Sequence, residues 1–136
     1  MAQIINMKNS LLITKYIRMI LEKDETLMRK LPIAKIFPID AKQGTSFPFA
    51  VIARTGMLDN ISKDGIYEDV VYISILVVDD NYINSIEIAN EIRNWLEGHR
   101  YKDETINITK IKLSTSSETI YDDTFIQSLE FNVHIN

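Results

Sequence analysis

Histidine and cysteine, two residue types that commonly catalyse reactions, are rare or absent in this sequence. Its 136 residues include two histidines and no cysteine, so thiolate nucleophiles, disulfides and cysteine-ligated zinc are excluded. His99 follows Gly98 at the predicted end of a helix, and His134 lies on the polar face of the last predicted strand. No nucleophile is spaced to pair with either histidine. We interpret both as surface residues.

Two pairs of aspartates have the chemistry of a divalent-metal site. Asp79 and Asp80 form one pair, and Asp122 and Asp123 form the other. Each pair lies where a predicted strand ends or begins, and aspartate is common there as a turn or capping residue. We therefore expect no metal site, although a Mg²⁺-dependent hydrolase or nuclease built from these four residues is a third hypothesis. Phosphate-cradling and nucleophile-elbow motifs are absent from the sequence, so we also expect no cofactor and no enzymatic activity.

A small basic and aromatic set is the best candidate for nucleic-acid binding. Tyr101, Lys102, Lys110 and Lys112 could stack on and neutralise a single strand, but simple alternation on a solvated strand face also explains them. Residues 1–58 contain nine Lys/Arg and four Asp/Glu, whereas residues 59–136 contain six and fifteen. This distribution lacks a uniform basic footprint. In one interpretation it favours head-to-tail contact between identical subunits; in the other, the two halves of the sequence intermix in space and the asymmetry cancels. We expect no sequence-specific nucleic-acid binding.

The composition is that of an ordinary globular domain. Hydrophobic residues make up 46% of the chain and charged residues 25%. We expect a single domain over residues 1–136, with a flexible N-terminal arm over residues 1–8. Lys8, Lys15 and Arg18 interrupt the apolar N-terminal run, so we expect neither secretion nor a membrane span.

Three stretches carry helical signals. Apolar residues from Asn9 to Leu21 follow the stripe of a helix buried along one face, with Ser10 as its N-cap. Asp24 is placed to cap a short second helix that stops at Pro32. A third helix begins near Asn84 or earlier, includes Trp95 in its apolar stripe, and stops at Gly98.

The remaining periodic segments are predicted strands. A short segment containing Pro38 suits a sheet edge, and a run of apolar residues from Val70 to Val78 indicates a central strand covered on much of both faces. The last two strands alternate as an antiparallel pair with one wet face and an irregularity near Lys110. We predict an α+β fold: a mostly antiparallel sheet of four to five strands, with two main helices packed on one face.

One connection between strands is long and apolar. Residues 56–69 are predicted to form a long loop or an extended hairpin that carries Met57, Leu58, Ile61 and Ile66. In one interpretation Leu58 and Ile61 fold back over the sheet edge. In the other, these four residues form an interface with a partner.

The order of these motifs resembles that in the tail-completion proteins of long-tailed bacteriophages, which are also called tail terminator or head–tail joining proteins. The resemblance runs from about Asn9 to the C-terminus. It rests on structural signatures, which are Ile36 to Pro38, Phe47 to Phe49, the passage through Asp79 and Tyr82, Leu96 to Gly98, and Asp123 to Val133.

The resemblance implies a structural virion protein of the phage tail or neck. Such a protein assembles as a ring, typically a hexamer, that terminates the tail tube and joins it to the head connector. It would be found in the virion after assembly in the bacterial host cytoplasm. The alternative hypothesis is a non-viral α+β domain that binds a small ligand or a peptide between its sheet and its helices.

Overall fold

The structure, a computed structural model, describes residues 8–61, 65 and 67–136. Three helices lie in these ranges. Short 3₁₀ turns precede the first helix and the first strand. No helix in these ranges is long and apolar enough to cross a membrane. The helices are α1 (Ile13–Glu22), α2 (Glu25–Lys30) and α3 (Tyr82–Leu96), and the 3₁₀ turns are Ser10–Leu12 and Ile33–Lys35.

The helix boundaries follow from capping residues. The Asp24 carboxylate accepts hydrogen bonds from the backbone N–H groups of Thr26 and Leu27, at 3.1 and 3.2 Å, which confirms the predicted cap of α2. The predicted cap at Ser10 is wrong. Its hydroxyl instead donates to the buried carboxylate of Asp69, so a tertiary contact has replaced the local one.

The third helix begins before Asn84. Asn81 is its N-cap, and the Asn81 side chain accepts a hydrogen bond from the N–H of Asn84 at 2.9 Å. The helix ends as predicted, because Gly98 adopts a φ of +82° that suits glycine. The Trp95 indole, on the predicted apolar stripe, donates to the carbonyl of Ile20 at 2.7 Å and so joins α3 to α1.

Six strands form one sheet in the described ranges, with the order β1-β2-β3-β6-β5-β4. Only β1 and β2 are parallel, and every other neighbouring pair is antiparallel. The strands are β1 (Ile36–Pro38), β2 (Phe49–Ile61), β3 (Tyr67–Asp79), β4 (Tyr101–Lys102), β5 (Asn107–Tyr121) and β6 (Thr124–Ile135).

The structure confirms the α+β class and the mostly antiparallel sheet. Within the described residues, the sheet has six strands rather than four or five, and a third, short helix packs with the two main ones. The strand that the prediction missed is β4, whose two residues are too few to show an alternating pattern. The short helix α2 also belongs to the helical layer. Its Leu27 is fully buried, and it contacts both α1 and α3.

The helices cover only one face of the sheet, which we call the helix face. Alternate residues of β3 from Val71 to Val77 are buried there, in one core cluster with α1, α2 and α3. On the opposite face, which we call the open face, Val70, Leu76 and Val78 are partly exposed. The prediction that the central strand is covered on much of both faces was therefore wrong for the open face, although β3 is central, flanked by β2 and β6.

The apolar connection is largely strand. β2 continues to Ile61 and β3 begins at Tyr67, so the described part of residues 56–69 forms the end of a β-hairpin. A register shift between Arg54 and Gly56 is a bulge, which bends β2. β3 remains paired with β6 from Asp69 onward, so only the end of the hairpin beyond Asp69 extends past the rest of the sheet. The predicted irregularity near Lys110 also exists, as a register shift in β5.

Candidate interaction surfaces

Two residues of the predicted interface are neighbours on β2 and point to opposite faces of the sheet. Met57 pairs with Val71 on the helix face, and Leu58 pairs with Val70 on the open face. The exposed fraction is 39% for Met57 and 51% for Leu58. Among the described residues, each face of the hairpin therefore presents at least one exposed apolar side chain.

The other two residues of that set add little. The backbone of Ile61 pairs with Tyr67 at the end of the hairpin, and Ile66 lies outside the described residues. Met57, Leu58 and Ile61 thus share one strand, and the side chains of Met57 and Leu58 point to opposite faces. Their role as an interface stays a prediction.

Polar contacts fix the base of the β2–β3 hairpin to the N-terminal segment. Asp69 is 1% exposed, and its carboxylate accepts hydrogen bonds from the hydroxyls of Ser10 and Tyr67 at 2.5 and 2.7 Å. The Lys8 ammonium lies 4.1 Å from the centroid of the Tyr67 ring. The bond to Asp69 raises the pKa of Tyr67 above its usual range, because an ionised tyrosine could not donate it. The hairpin base is therefore held by a neutral tyrosine and a buried carboxylate.

The hairpin formed by β5 and β6 carries a second exposed surface. Asp122 and Asp123 have φ values of +50° and +60°, which is the left-handed geometry of a two-residue type I′ turn. Every side chain from Ser114 to Tyr121 is exposed, including Ile120 at 60% and Tyr121 at 74%. Sequence reasoning missed this surface because it ended β5 too early. The β-favouring run Thr119-Ile120-Tyr121 before the two aspartates is the signal that could have revealed it.

Aromatic residues link this hairpin to the start of α3. The rings of Tyr82 and Phe125 lie 5.2 Å apart, and the Tyr82 hydroxyl donates to the carboxylate of Glu118 at 2.8 Å. That bond raises the pKa of Tyr82. Ile83 is 60% exposed beside this contact, so the end of the hairpin and the first turn of α3 form one partly apolar surface.

A third apolar region lies at the β1–β2 end of the open face. Phe49 packs between Phe37, with ring centroids 6.3 Å apart, and Phe47, at 5.8 Å. Phe47 remains 40% exposed. Phe37 and Phe49 contact across strands, and they pair with Val51 and Val78 respectively, so apolar residues extend along this part of the open face.

The four aspartates do not come together as a metal site. Asp79 is 2% exposed and accepts a hydrogen bond from the side-chain amide of Asn84 at 2.7 Å, while Asp122 and Asp123 form the turn. Within the described ranges, no three His, Cys, Asp or Glu residues are grouped so as to hold a metal ion.

The histidines occupy structural positions. The ring of His99 lies against Trp95, with a centroid distance of 5.7 Å, and its Nδ1 is 3.3 Å from the Trp95 carbonyl oxygen. His134 Nδ1 lies 2.7 Å from Glu68 Oε1, which ties the end of β6 to the start of β3.

The predicted basic and aromatic set is divided between the two faces. Tyr101 pairs with the buried Ile108 and lies 5.9 Å from the ring of Tyr16 on the helix face. Lys110 and Lys112 pair with His134 and Asn132 on the open face. Tyr101 therefore cannot stack a base between these lysines.

Comparisons with known proteins identify a structural neighbour. No protein-family model matches the sequence, and no curated protein matches it significantly. Among solved structures, a chain of the "Virion of native gene transfer agent (GTA) particle" superposes with a TM-score of 0.74 and 13% sequence identity, over 88% of this chain and 90% of that chain. At this level of identity, the likeness shows that the two chains share a fold.

Proposed function

We propose that this protein is a structural virion protein of a phage-type tail or neck, where it forms a ring that terminates the tail tube and joins it to the head connector. The observation that carries the proposal is the fold shared with a chain of a gene transfer agent virion, over nine-tenths of that chain. The order of sequence motifs, which resembles that of the tail-completion proteins, supports it independently.

The exposed apolar residues support a role in assembly. Met57 and Leu58 lie on one hairpin, and Ile120 and Tyr121 lie on the other, with exposed fractions between 39% and 74%. Apolar side chains at such positions become stabilising when a partner covers them. The protein therefore acts through contacts between subunits and with neighbouring virion proteins, without turnover and without a cofactor.

The partners follow from this role. The ring consists of identical subunits, and the tail-completion resemblance implies six of them. The tail tube binds on one side of the ring and the head connector binds on the other. The protein resides in the virion after assembly in the bacterial host cytoplasm, and neither a membrane nor a specific nucleic-acid sequence is among its partners.

Mass photometry of the purified protein at micromolar concentration, alone and with purified tail tubes or connectors, tests the proposal. We expect a closed oligomer, formed either by the protein alone or on the end of the tube. A strict monomer that binds neither tubes nor connectors would contradict the proposed function.

A further inference from the structure

Both outer strands of the sheet are very short. β1 pairs with only three residues of β2, from Ala50 to Ile52, and β4 pairs with only two residues of β5, Asn107 and Ile108. In the described ranges, the longer strands therefore continue past their outer neighbours. We call Ala53–Ile61 the β2 free edge and Ser114–Tyr121 the β5 free edge, because neither has an outer strand partner among the described residues.

The end of α3 covers the part of β5 that lies between β4 and the β5 free edge. The Gly98 N–H donates to the carbonyl of Ile111 at 3.0 Å, and the Leu113 N–H donates to the Glu97 carboxylate at 2.9 Å. This bond lowers the pKa of Glu97, because it favours the ionised form. Coverage stops at Leu113. A register shift between Leu113 and Thr115 then bends the strand away.

On the β5 free edge, the pairing with β6 determines which backbone N–H groups point away from β6. Tyr121 and Thr124 flank a two-residue turn, so they form a mutually hydrogen-bonded pair of the hairpin. Alternation along the antiparallel ladder then directs the N–H groups of Ile120, Glu118 and Ser116 away from β6. These groups are available to an added strand.

The two free edges are complementary in direction. Three successive antiparallel pairings separate β2 from β5, so these strands run in opposite directions on opposite sides of one sheet. If the β5 free edge of one copy adjoins the β2 free edge of the next, with the open faces on the same side, the new pair is antiparallel. The same contact repeats from copy to copy, which is the head-to-tail geometry that forms a ring when the rotation between copies closes.

The two free edges also carry apolar surface. Few charges lie on them: the β5 free edge contains Glu118, and the β2 free edge contains Arg54 and Asp59. Each free edge also carries exposed apolar side chains on both faces of the sheet, because successive residues alternate. These are Met57 and Leu58 on β2, and Ile120 and Tyr121 on β5.

We propose that identical subunits join by antiparallel strand addition, with the β5 free edge of one copy pairing with the β2 free edge of the next to continue the sheet around the ring. This contact deepens the proposed function and depends on ring formation. In this contact, backbone hydrogen bonds join the two strands, and the four apolar side chains pack on the two faces of the new strand pair.

A proline substitution tests the contact at Ser116. Ser116→Pro removes an outward N–H without removing a hydrogen bond to β6, and proline is tolerated on edge strands. We expect circular dichroism to show that the variant monomer remains folded. Ring formation should require at least about tenfold more protein, because the contact loses one ordinary hydrogen bond and the proline ring sterically excludes the added strand. The control is Ser116→Ala, which retains the N–H and should assemble normally.

Cysteine cross-linking identifies the partner strand, because the natural chain has no cysteine. Leu58→Cys is mixed, under ring-forming conditions, with each of Thr115→Cys, Ser117→Cys and Thr119→Cys, which share the open face. We expect a disulfide-linked dimer in at least one mixture and none in any single variant alone. The series covers alternative registers of the new strand pair.

The outcomes separate this contact from the proposed function. Rings that form normally with Ser116→Pro, or that give no cross-link in any mixture, would overturn strand addition and leave the ring itself intact. A cross-link within one β5 variant alone would also overturn it, since it indicates like edges in contact. Failure of the unmodified protein to assemble, even on tail tubes or connectors, would instead contradict the proposed function and with it this contact.

Discussion

At the scale of single residues, the Asp24 carboxylate caps α2 and lies near Glu91 of α3. Oδ1 caps α2, while Oδ2 is buried and accepts no hydrogen bond within the described structure. The neighbouring Glu91 on α3 is placed to donate to Asp24 when it is protonated, and this raises the pKa of Glu91 above its ordinary value of 4.5. The protonated form of Glu91 therefore favours the folded state.

We predict that Asp24→Asn weakens the pH dependence of stability in the acid range. Because the pKa of Glu91 is raised on folding, its stabilising contribution is complete below pH 4.5 and is lost as the pH rises through the raised value. Asparagine keeps the capping oxygen and can donate its amide to ionised Glu91, which removes that loss. Urea unfolding between about pH 4 and 7 measures the effect.

The control for Asp24→Asn is Asp24→Ala, which removes the cap as well. Its free energy of unfolding should be about 1 kcal/mol lower than that of Asp24→Asn across the pH range, because it lacks the cap. An unchanged pH dependence in Asp24→Asn would mean that the two carboxyl groups do not interact.

Ile39 is a second residue with a local consequence. It is a β-branched residue with a φ of +69°, and it is 80% exposed. This left-handed conformation costs roughly 1–2 kcal/mol for such a side chain, and asparagine tolerates it better. We predict that Ile39→Asn raises the free energy of unfolding by up to about 1 kcal/mol in thermal or urea unfolding. A destabilised variant would show that the exposed isoleucine makes a stabilising contact in the monomer.

At the scale of elements, the sequence predicted periodicity better than extent. Buried stripes and alternation indicated α1, α3 and the β5–β6 pair, since burial on one face dictates residue type there. The prediction ended β2 and β5 too early, near Thr55 and Glu118, because strand positions that are exposed on both faces leave no burial pattern in the sequence. The short β4 and the uncovered open face depend on tertiary pairing that no local pattern encodes.

The β2–β3 hairpin carries the predicted interface, and a double substitution tests it. We predict that Leu58→Ser with Ile61→Ser leaves the monomer folded and weakens ring formation or tail joining. Replacing Leu58 on this exposed strand should cost the monomer less than about 1 kcal/mol, because the side chain is half-exposed. Sedimentation and tail-joining assays measure the loss of assembly.

The matched control for this double substitution is Leu11→Ser with Leu12→Ser. These leucines are exposed to 59% and 48%, similar to Leu58, and lie outside both hairpins. The control should assemble normally. Normal assembly by the hairpin variant would instead favour the interpretation in which these residues serve the monomer alone.

At the scale of the whole molecule, one sheet carries helices on one face and leaves its other face and both of its edges accessible in the described structure. A subunit with two unlike edges is suited to head-to-tail assembly, which is also the arrangement required of a ring at the end of a tail tube. The geometry of the two edges and the fold shared with a chain of a gene transfer agent virion therefore support the same proposal.

Electron cryo-microscopy of an assembled particle that contains this protein is the most direct test of the proposed function. We predict a ring of this chain at the junction of the tail and the head, in which β5 of each subunit lies beside β2 of the next. A particle that contains the protein away from this junction would contradict the proposed function.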